Sequence, residues 1–372
     1  MPPFFILNID IICISFIRII SMRVQFITKL NTGNEAEYSN SGKSGVQMSA
    51  EFLSDMLNDY GKNFGIKSTV SRAIDNNCID RLVTEFKPDI VIIEAYWVVP
   101  SKFKELIEIH PNIKWVIRNH SAMPFIAEEG IIIDWSMEYL KTENVYLASN
   151  HQKTCDDLRD VVFNALLEPA KVFFLPNFYP TNLLKKSNTF FNKNFKNDGE
   201  FHVGCFGASR ILKNQLIQAH AAIRYAKEVG RELFFHINDA STQITKNLDA
   251  LFANTENANL VKHDWMGHGD FYNLCGTMDL GMQVSFSETF NIVAADFIGN
   301  NVPVITSDQI DFVSRICKTD MTDASKIVKT MRCVLAINQF VPVTKLNQKI
   351  LRETSESHRN IWIRNLRILH ES

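Results

Sequence analysis

Asp89-Ile-Val-Ile-Ile-Glu94 is an unbroken apolar run fenced by two carboxylates. A strand with one wet face alternates apolar and polar side chains. A strand covered on both faces reads as a continuous run of this kind, and such strands belong to parallel sheets flanked by helices. Ile113-Lys-Trp-Val-Ile-Arg118 repeats the signal, and shorter strand patterns lie at 24–28, 66–70, 145–148 and 172–175. The segments between them carry helical spacing, as in 45–60, where Val46, Met48, Phe52, Met56 and Leu57 share a face. Residues 80–86, 101–109, 131–141 and 151–162 read as further helices. Strands alternating with helices predict a doubly wound α/β domain.

The alternation halts between Pro176 and Gly199, a stretch of Asn, Phe and paired Lys without periodicity. It then restarts, with strands at 201–206, 233–237, 260–262 and 280–284 and helices at 214–229, 244–252 and 271–275. The tail from Thr322 reads as helical. The expected architecture is two tandem Rossmann-like parallel sheets with an interdomain cleft. The boundaries are 22–180 for an acceptor-side domain, 181–200 for a linker, 201–340 for a nucleotide-binding domain and 341–372 for a terminal helix that returns to the first domain. Ligands of such sheets bind outside the carboxyl ends of the strands.

Global composition excludes more than it selects. In 372 residues the formal net charge is −2, which argues against a phosphate-neutralising nucleic-acid surface. The seven cysteines show no paired or CxxC spacing, so free thiols in a reducing, cytoplasmic compartment are expected. Residues 1–21 form an apolar extension, but Asn8, Asp10 and Arg18 interrupt it, and it lacks a basic start or a cleavage site. The regular pattern begins at Met22, so the expected working chain starts there, with a weak amphipathic membrane anchor as the alternative.

Two segments carry chemistry. Ser285-Phe-Ser-Glu-Thr-Phe-Asn-Ile-Val-Ala-Ala-Asp296 reads as a loop running into a helix that starts at Glu288, with Asp296 about 12 Å further along at 1.5 Å per residue. Gly299 supplies a left-handed helix stop, and Val302-Pro-Val-Ile305 enters the next strand. Two acids bracketing a helix N-terminus suit a ligand with hydroxyls at both ends and negative charge between them. Gly204-Cys-Phe-Gly-Ala-Ser-Arg-Ile-Leu-Lys-Asn214 is a strand, a Gly turn and two cations before a helix. Gly207 permits close backbone approach, Arg210 can fork onto two phosphate oxygens, and Lys213 adds a point charge. A third, weaker signal is Val116-Ile-Arg-Asn-His-Ser121, which places His120 at a strand end. A hydrogen-bonded structural His is the plain alternative there. Glu128 and Glu129 follow without a spacing argument.

Glu288, seven residues, Asp296 and then Gly-x-x-Val-Pro-Val resemble the donor site of retaining glycosyltransferases of the GT-B fold, in the large group 1 or family 4 class with its many bacterial and phage members. In that class the second acid is Glu, so Asp296 departs by one methylene, and Lys213 follows Arg210 sooner than is usual. The resemblance implies transfer of a sugar from a nucleotide-sugar to an acceptor hydroxyl, with retention. It assigns Gly207, Arg210 and Lys213 to the diphosphate, Glu288 with Thr289, Phe290 and Asn291 to the sugar end, and Asp296 to the ribose. His120 and Glu288 would be the catalytic pair. It implies no metal and no other cofactor, because cations and a helix N-terminus take the leaving charge. The acceptor stays open among a saccharide, a lipid-linked glycan and a modified DNA base. A GT-B-like binding protein without turnover and a GT-B sugar-nucleotide epimerase are the alternatives.

Three other motifs are set aside. Ser41-Gly-Lys-Ser-Gly45 lacks the first Gly of a P-loop, since position 37 is Glu. It resembles instead the Gly-rich loop after the first GT-B strand. His263, Asp264, His268 and Asp270 do not have metal-ligand spacing and read as a surface loop. Arg359, Arg364 and Arg367 around Trp362 allow a peripheral membrane contact, but a helix with Trp362 and Leu366 turned inward is the preferred reading.

Overall fold

The computed structural model describes residues 21–30, 44–184, 199–238 and 243–372. Residues 1–20, most of the glycine-rich segment before Gly45, and most of the linker lie outside the described residues.

The first sheet has six parallel strands. They are β1 (Met22–Lys29), β2 (Ile66–Ala73), β3 (Ile90–Glu94), β4 (Lys114–Asn119), β5 (Val145–Ser149) and β6 (Val172–Phe174). Their order is β2-β1-β3-β4-β5-β6. All five residues of β3 are buried, as the unbroken apolar run requires. Helices α1 (Gly45–Asp59), α2 (Cys78–Phe86), α3 (Pro100–Ile109), α4 (Met123–Ile126), α5 (Ile132–Leu140) and α6 (Gln152–Asn164) connect the strands. The start of α1 is fixed by Ser44, whose hydroxyl accepts from the Gln47 amide at 3.2 Å.

The second sheet has five parallel strands in the order β11-β10-β7-β8-β9. These are β7 (Glu200–Gly204), β8 (Glu232–Asn238), β9 (Ala258–His263), β10 (Leu280–Gln283) and β11 (Val304–Thr306). Helices α7 (Gln215–Val229), α8 (Gln243–Ala253), α9 (His268–Cys275) and α10 (Ile292–Gly299) link them. Gly204 and Gly281 pair across β7 and β10. A Cβ on Gly204 would sit 2.7 Å from the Phe297 ring, and one on Gly281 closer still. The two glycines therefore let Phe297 lay α10 directly on the sheet.

The helical tail is two helices, α11 (Ala324–Asn338) and α12 (Val343–Glu371). Pro342 is the N-cap of α12, and a proline cannot continue the preceding helix. At 29 residues α12 is about 43 Å long, enough to cross both domains. Val343 and Leu351 join the core of the second domain, while Trp362, Leu366 and Leu369 join Val24, Phe26 and Ile92 in the first. Trp362 is fully buried and its indole N–H donates to the Pro176 carbonyl at 2.6 Å.

The order of each sheet reverses at one place, between β1 and β3 in the first and between β7 and β10 in the second. Crevices open at such switch points beyond the carboxyl ends of the strands.

Candidate active site

The segments flanking the β7/β10 switch point are the turn after β7 and the loop between β10 and α10. The turn opens with Gly207 at φ 115°, a conformation glycine adopts without strain, and its amide donates to Asn238 Oδ1 at 2.8 Å. A single 3-10 turn, Ile211–Lys213, follows, and Asn214 in the left-handed region leads into α7. The Leu212 carbonyl accepts from the Phe286 amide at 2.8 Å, tying this turn to the loop after β10.

That tie brings Lys213 onto Glu288, with Nζ donating to Oε1 at 2.6 Å. Glu288 is buried, and Asn291 Nδ2 also donates to its Oε1 at 2.9 Å. Asn291 works twice: its Oδ1 caps α10 by accepting from the Ala294 amide at 2.8 Å, and its Nδ2 also reaches Gln283 at 2.8 Å. The helix thus starts at Ile292 and not at Glu288, which sits in the loop before it. Asn291 is the better N-cap because its side chain replaces an intrahelical partner that glutamate at 288 cannot supply. The helix stop differs as well. Gly299 stays helical, and Asn301 takes the left-handed conformation at φ 63°. A side chain at 299 would press on Tyr272 and Tyr179, so that glycine serves packing.

Thr289 crosses the cleft. Its hydroxyl donates to the His120 carbonyl at 3.0 Å and accepts from Asn150 Nδ2 at 3.0 Å. Phe290 turns away to pack on Phe312, with tilted rings whose centroids are 4.7 Å apart. Arg210 is exposed, and its guanidinium lies 5.0 Å from the Phe125 ring centroid across the cleft. Lys213, Glu288, Asn291, Thr289 and His120 therefore converge, while Arg210 stands at their margin and Phe290 outside them.

Asp296 does not join that group. It is fully buried, and its Oδ1 accepts from the Tyr179 hydroxyl at 2.8 Å and faces His268 Nε2 at 3.0 Å. Burial raises its carboxyl above the ordinary range, partly offset by His268 and Tyr179. Its Oδ2 has no hydrogen-bond partner among the described residues. His268 is accordingly not on a plain surface loop. Its Nε2 faces Asp296, and its ring meets Phe52 of the first domain with centroids 5.4 Å apart. His263 ends β9 and bonds His236 at 2.8 Å, so it too is structural. No group of three or more His, Cys, Asp and Glu among the described residues could hold a metal ion.

His120 follows β4 and is mostly buried, on a cluster that sequence reasoning missed. Arg118 and Glu94 are both fully shielded, and Arg118 Nη1 donates to Glu94 Oε2 at 3.0 Å. Glu94 also bonds His120 Nε2. Burial pushes the Glu94 carboxyl up, but Arg118 and His120 outweigh it and hold it below the usual range. Burial lowers the His120 ring; Glu94 raises it, Arg118 lowers it again, and the net direction is down. The missed signal was a charged residue at the carboxyl end of each of two apolar strand runs. Glu129 accepts from Ser121 Oγ at 3.3 Å, and burial raises its carboxyl.

No protein-family model and no curated protein matches the chain. Solved structures match along nearly its whole length. HepE of Anabaena, solved in complex with UDP, is 13% identical with TM-score 0.62, over 93% of this chain and 99% of that one. Sucrose-phosphate synthase of Thermosynechococcus elongatus is 10% identical with TM-score 0.68, over 94% and 99%. A trehalose 6-phosphate synthase of Burkholderia multivorans is 10% identical with TM-score 0.65, over 95% and 98%. The chain has the GT-B fold. Identities this low speak for the fold alone. Within the GT-B frame, the Lys213–Glu288 pair belongs to one domain and His120 to the other. Among the described residues, no helix is long and apolar enough to cross a membrane.

Proposed function

We propose that the protein is a glycosyltransferase that moves a sugar from a nucleotide-sugar to an acceptor hydroxyl, with retention at the anomeric carbon. The observation that carries this reading is the Lys213–Glu288 pair at 2.6 Å, set beside a glycine turn and linked through Thr289 to His120. A cation, a buried acid and a neutral imidazole converge between the two domains.

In this reading Lys213 leaves Glu288 for the diphosphate, and Arg210 leaves Phe125 to fork onto phosphate oxygens. Glu288 is then free to accept from sugar hydroxyls, held in place by Asn291. The two cations and the N-terminus of α10 stabilise the leaving diphosphate without a metal. The solved HepE complexes with UDP and UDP-glucose make uridine nucleotides the first donors to test.

The buried Asp296 favours one rival, a GT-B binding protein without turnover, because a carboxylate engaged by Tyr179 and His268 is withdrawn from a ribose. Calorimetry against a panel of nucleotide-sugars, followed by donor turnover with and without candidate acceptors, separates the two. Binding with release of nucleoside diphosphate supports transfer; binding without any release supports the rival; no binding removes both.

A further inference from the structure

Deep in the first domain, beneath the proposed sugar site, lies an ion pair with no exposure to water. Burying two charges is costly, and a fold retains such a pair where its geometry serves something. Arg118 leaves β4 and donates through Nε to the Leu175 carbonyl at 2.8 Å, through Nη1 to Glu94 and through Nη2 to Asn177 Oδ1. These bonds fix where the Glu94 carboxylate points. Its Oε2 is shared between Arg118 and His120 Nε2.

An ionised carboxylate only accepts hydrogen bonds, so the imidazole nitrogen facing it must carry the proton. His120 Nε2 also lies 3.3 Å from Arg118 Nη1. Both atoms are then donors, and the short approach follows from their sharing one acceptor. The other ring nitrogen, Nδ1, is left with a lone pair, and its polar neighbour, at 3.4 Å, is the donor Asn150 Nδ2. That donor is already engaged by Asn177 Oδ1 at 3.2 Å and by Thr289. A second proton on the ring would place a third charge beside Arg118 with one carboxylate to serve both.

We propose that Glu94, oriented by Arg118, is a positioning residue that locks His120 in the Nε2–H tautomer, so that Nδ1 is offered as an acceptor to a hydroxyl of the bound carbohydrate. Thr289 holds the His120 backbone from the opposite domain, so the tautomer lock and the donor loop act on the same residue. The use of Nδ1 by a sugar rests on the glycosyl-transfer reading; the tautomer does not.

The test is nitrogen-15 NMR of histidine-labelled full-length protein at pH 7.5, without substrate. The expected His120 signal has its proton on Nε2 and an unprotonated Nδ1. A proton on Nδ1, or on both nitrogens, overturns the assignment. Glu94→Gln should mix the two tautomers, because the amide that replaces the carboxylate offers the ring either an oxygen or an NH2. It should also lower kcat at least tenfold, while nucleoside diphosphate affinity stays within twofold. An unchanged tautomer in a folded Glu94→Gln protein overturns the positioning role. Should that variant fail to fold, the wild-type spectrum and Glu94→Asp, which keeps the charge and should keep the tautomer, decide the question. The Nε2–H tautomer in a chain that binds no nucleotide-sugar would sink the transferase reading and leave this assignment standing.

Discussion

At the residue scale, the site pairs its own charges. Lys213 neutralises Glu288, and Arg210 rests on an aromatic ring. Removing one cation should therefore act on the nucleotide. Arg210→Ala is expected to weaken nucleoside diphosphate binding roughly ten- to hundredfold, the range for hydrogen bonds to a charged group, as read by calorimetry. Unchanged affinity would take Arg210 out of the site. Glu288→Gln should instead spare nucleoside diphosphate affinity and lower turnover, since its place is the sugar end. Equal losses of affinity in both variants would show that the two ends are wrongly assigned. For Asp296 the expected effect moves from affinity to stability. Its partners are two protein side chains that share Oδ1, so Asp296→Asn can keep both on its amide oxygen but loses the charge and buries an NH2 donor at the unpartnered Oδ2 position. The cost should be about 1–3 kcal/mol, seen as a lower melting temperature. A variant that melts like wild type but loses nucleotide affinity would return Asp296 to the ribose.

At the element scale, the strands were legible because burial on both faces leaves an apolar run that no other local structure explains. The runs at 89–94 and 113–118 became the centre of the first sheet. Helix ends were harder to read. Glu288 looks like a helix start from charge alone, but the cap is a geometric device, and Asn291 meets that geometry three residues later. Asp296 looked ligand-facing because it follows Glu288 by eight residues as the second acid of a pair. Its burial depends on Tyr179, more than a hundred residues away in sequence, and no local pattern encodes that contact. Glu94 and Arg118 were missed for the same reason: their pairing spans two strands. The paired glycines were read only as part of a strand, while their purpose is the Phe297 ring. Gly281→Ala tests that purpose. The added methyl would overlap the ring, and overpacking of this kind costs about 1–3 kcal/mol. Urea denaturation should show a lower midpoint with an unchanged slope. An unshifted midpoint would mean that α10 can lift off the sheet freely.

At the scale of the whole molecule, several imidazoles are kept neutral by burial, and this sets the response to acid. His202 Nδ1 lies 3.0 Å from His236 Nε2, and His236 Nδ1 lies 2.8 Å from His263 Nε2. A neutral middle ring donates from one nitrogen to one neighbour and accepts at the other. Burial, then the flanking rings, lowers His236 to about 3. Burial likewise lowers His120, His151, His263 and His358. In the unfolded chain these rings take a proton near pH 6.5. Below about pH 6.5 the unfolded state therefore binds protons that the native state refuses, at His236 down to about 3, and stability falls as pH falls. Glu94 adds to this below its unfolded value, because the native state holds it ionised. Asp296 and Glu129 oppose it, since their raised native values favour proton uptake on folding, but they are two groups against five imidazoles. The melting temperature should drop steadily from pH 7.5 to pH 5. His236→Gln should lower it at pH 7.5 through the lost ring contacts, yet flatten its dependence on pH, because one refused proton is gone. A melting temperature that holds or rises toward pH 5, or a His236→Gln protein with the wild-type slope, would show that the imidazole chain accepts protons without opening.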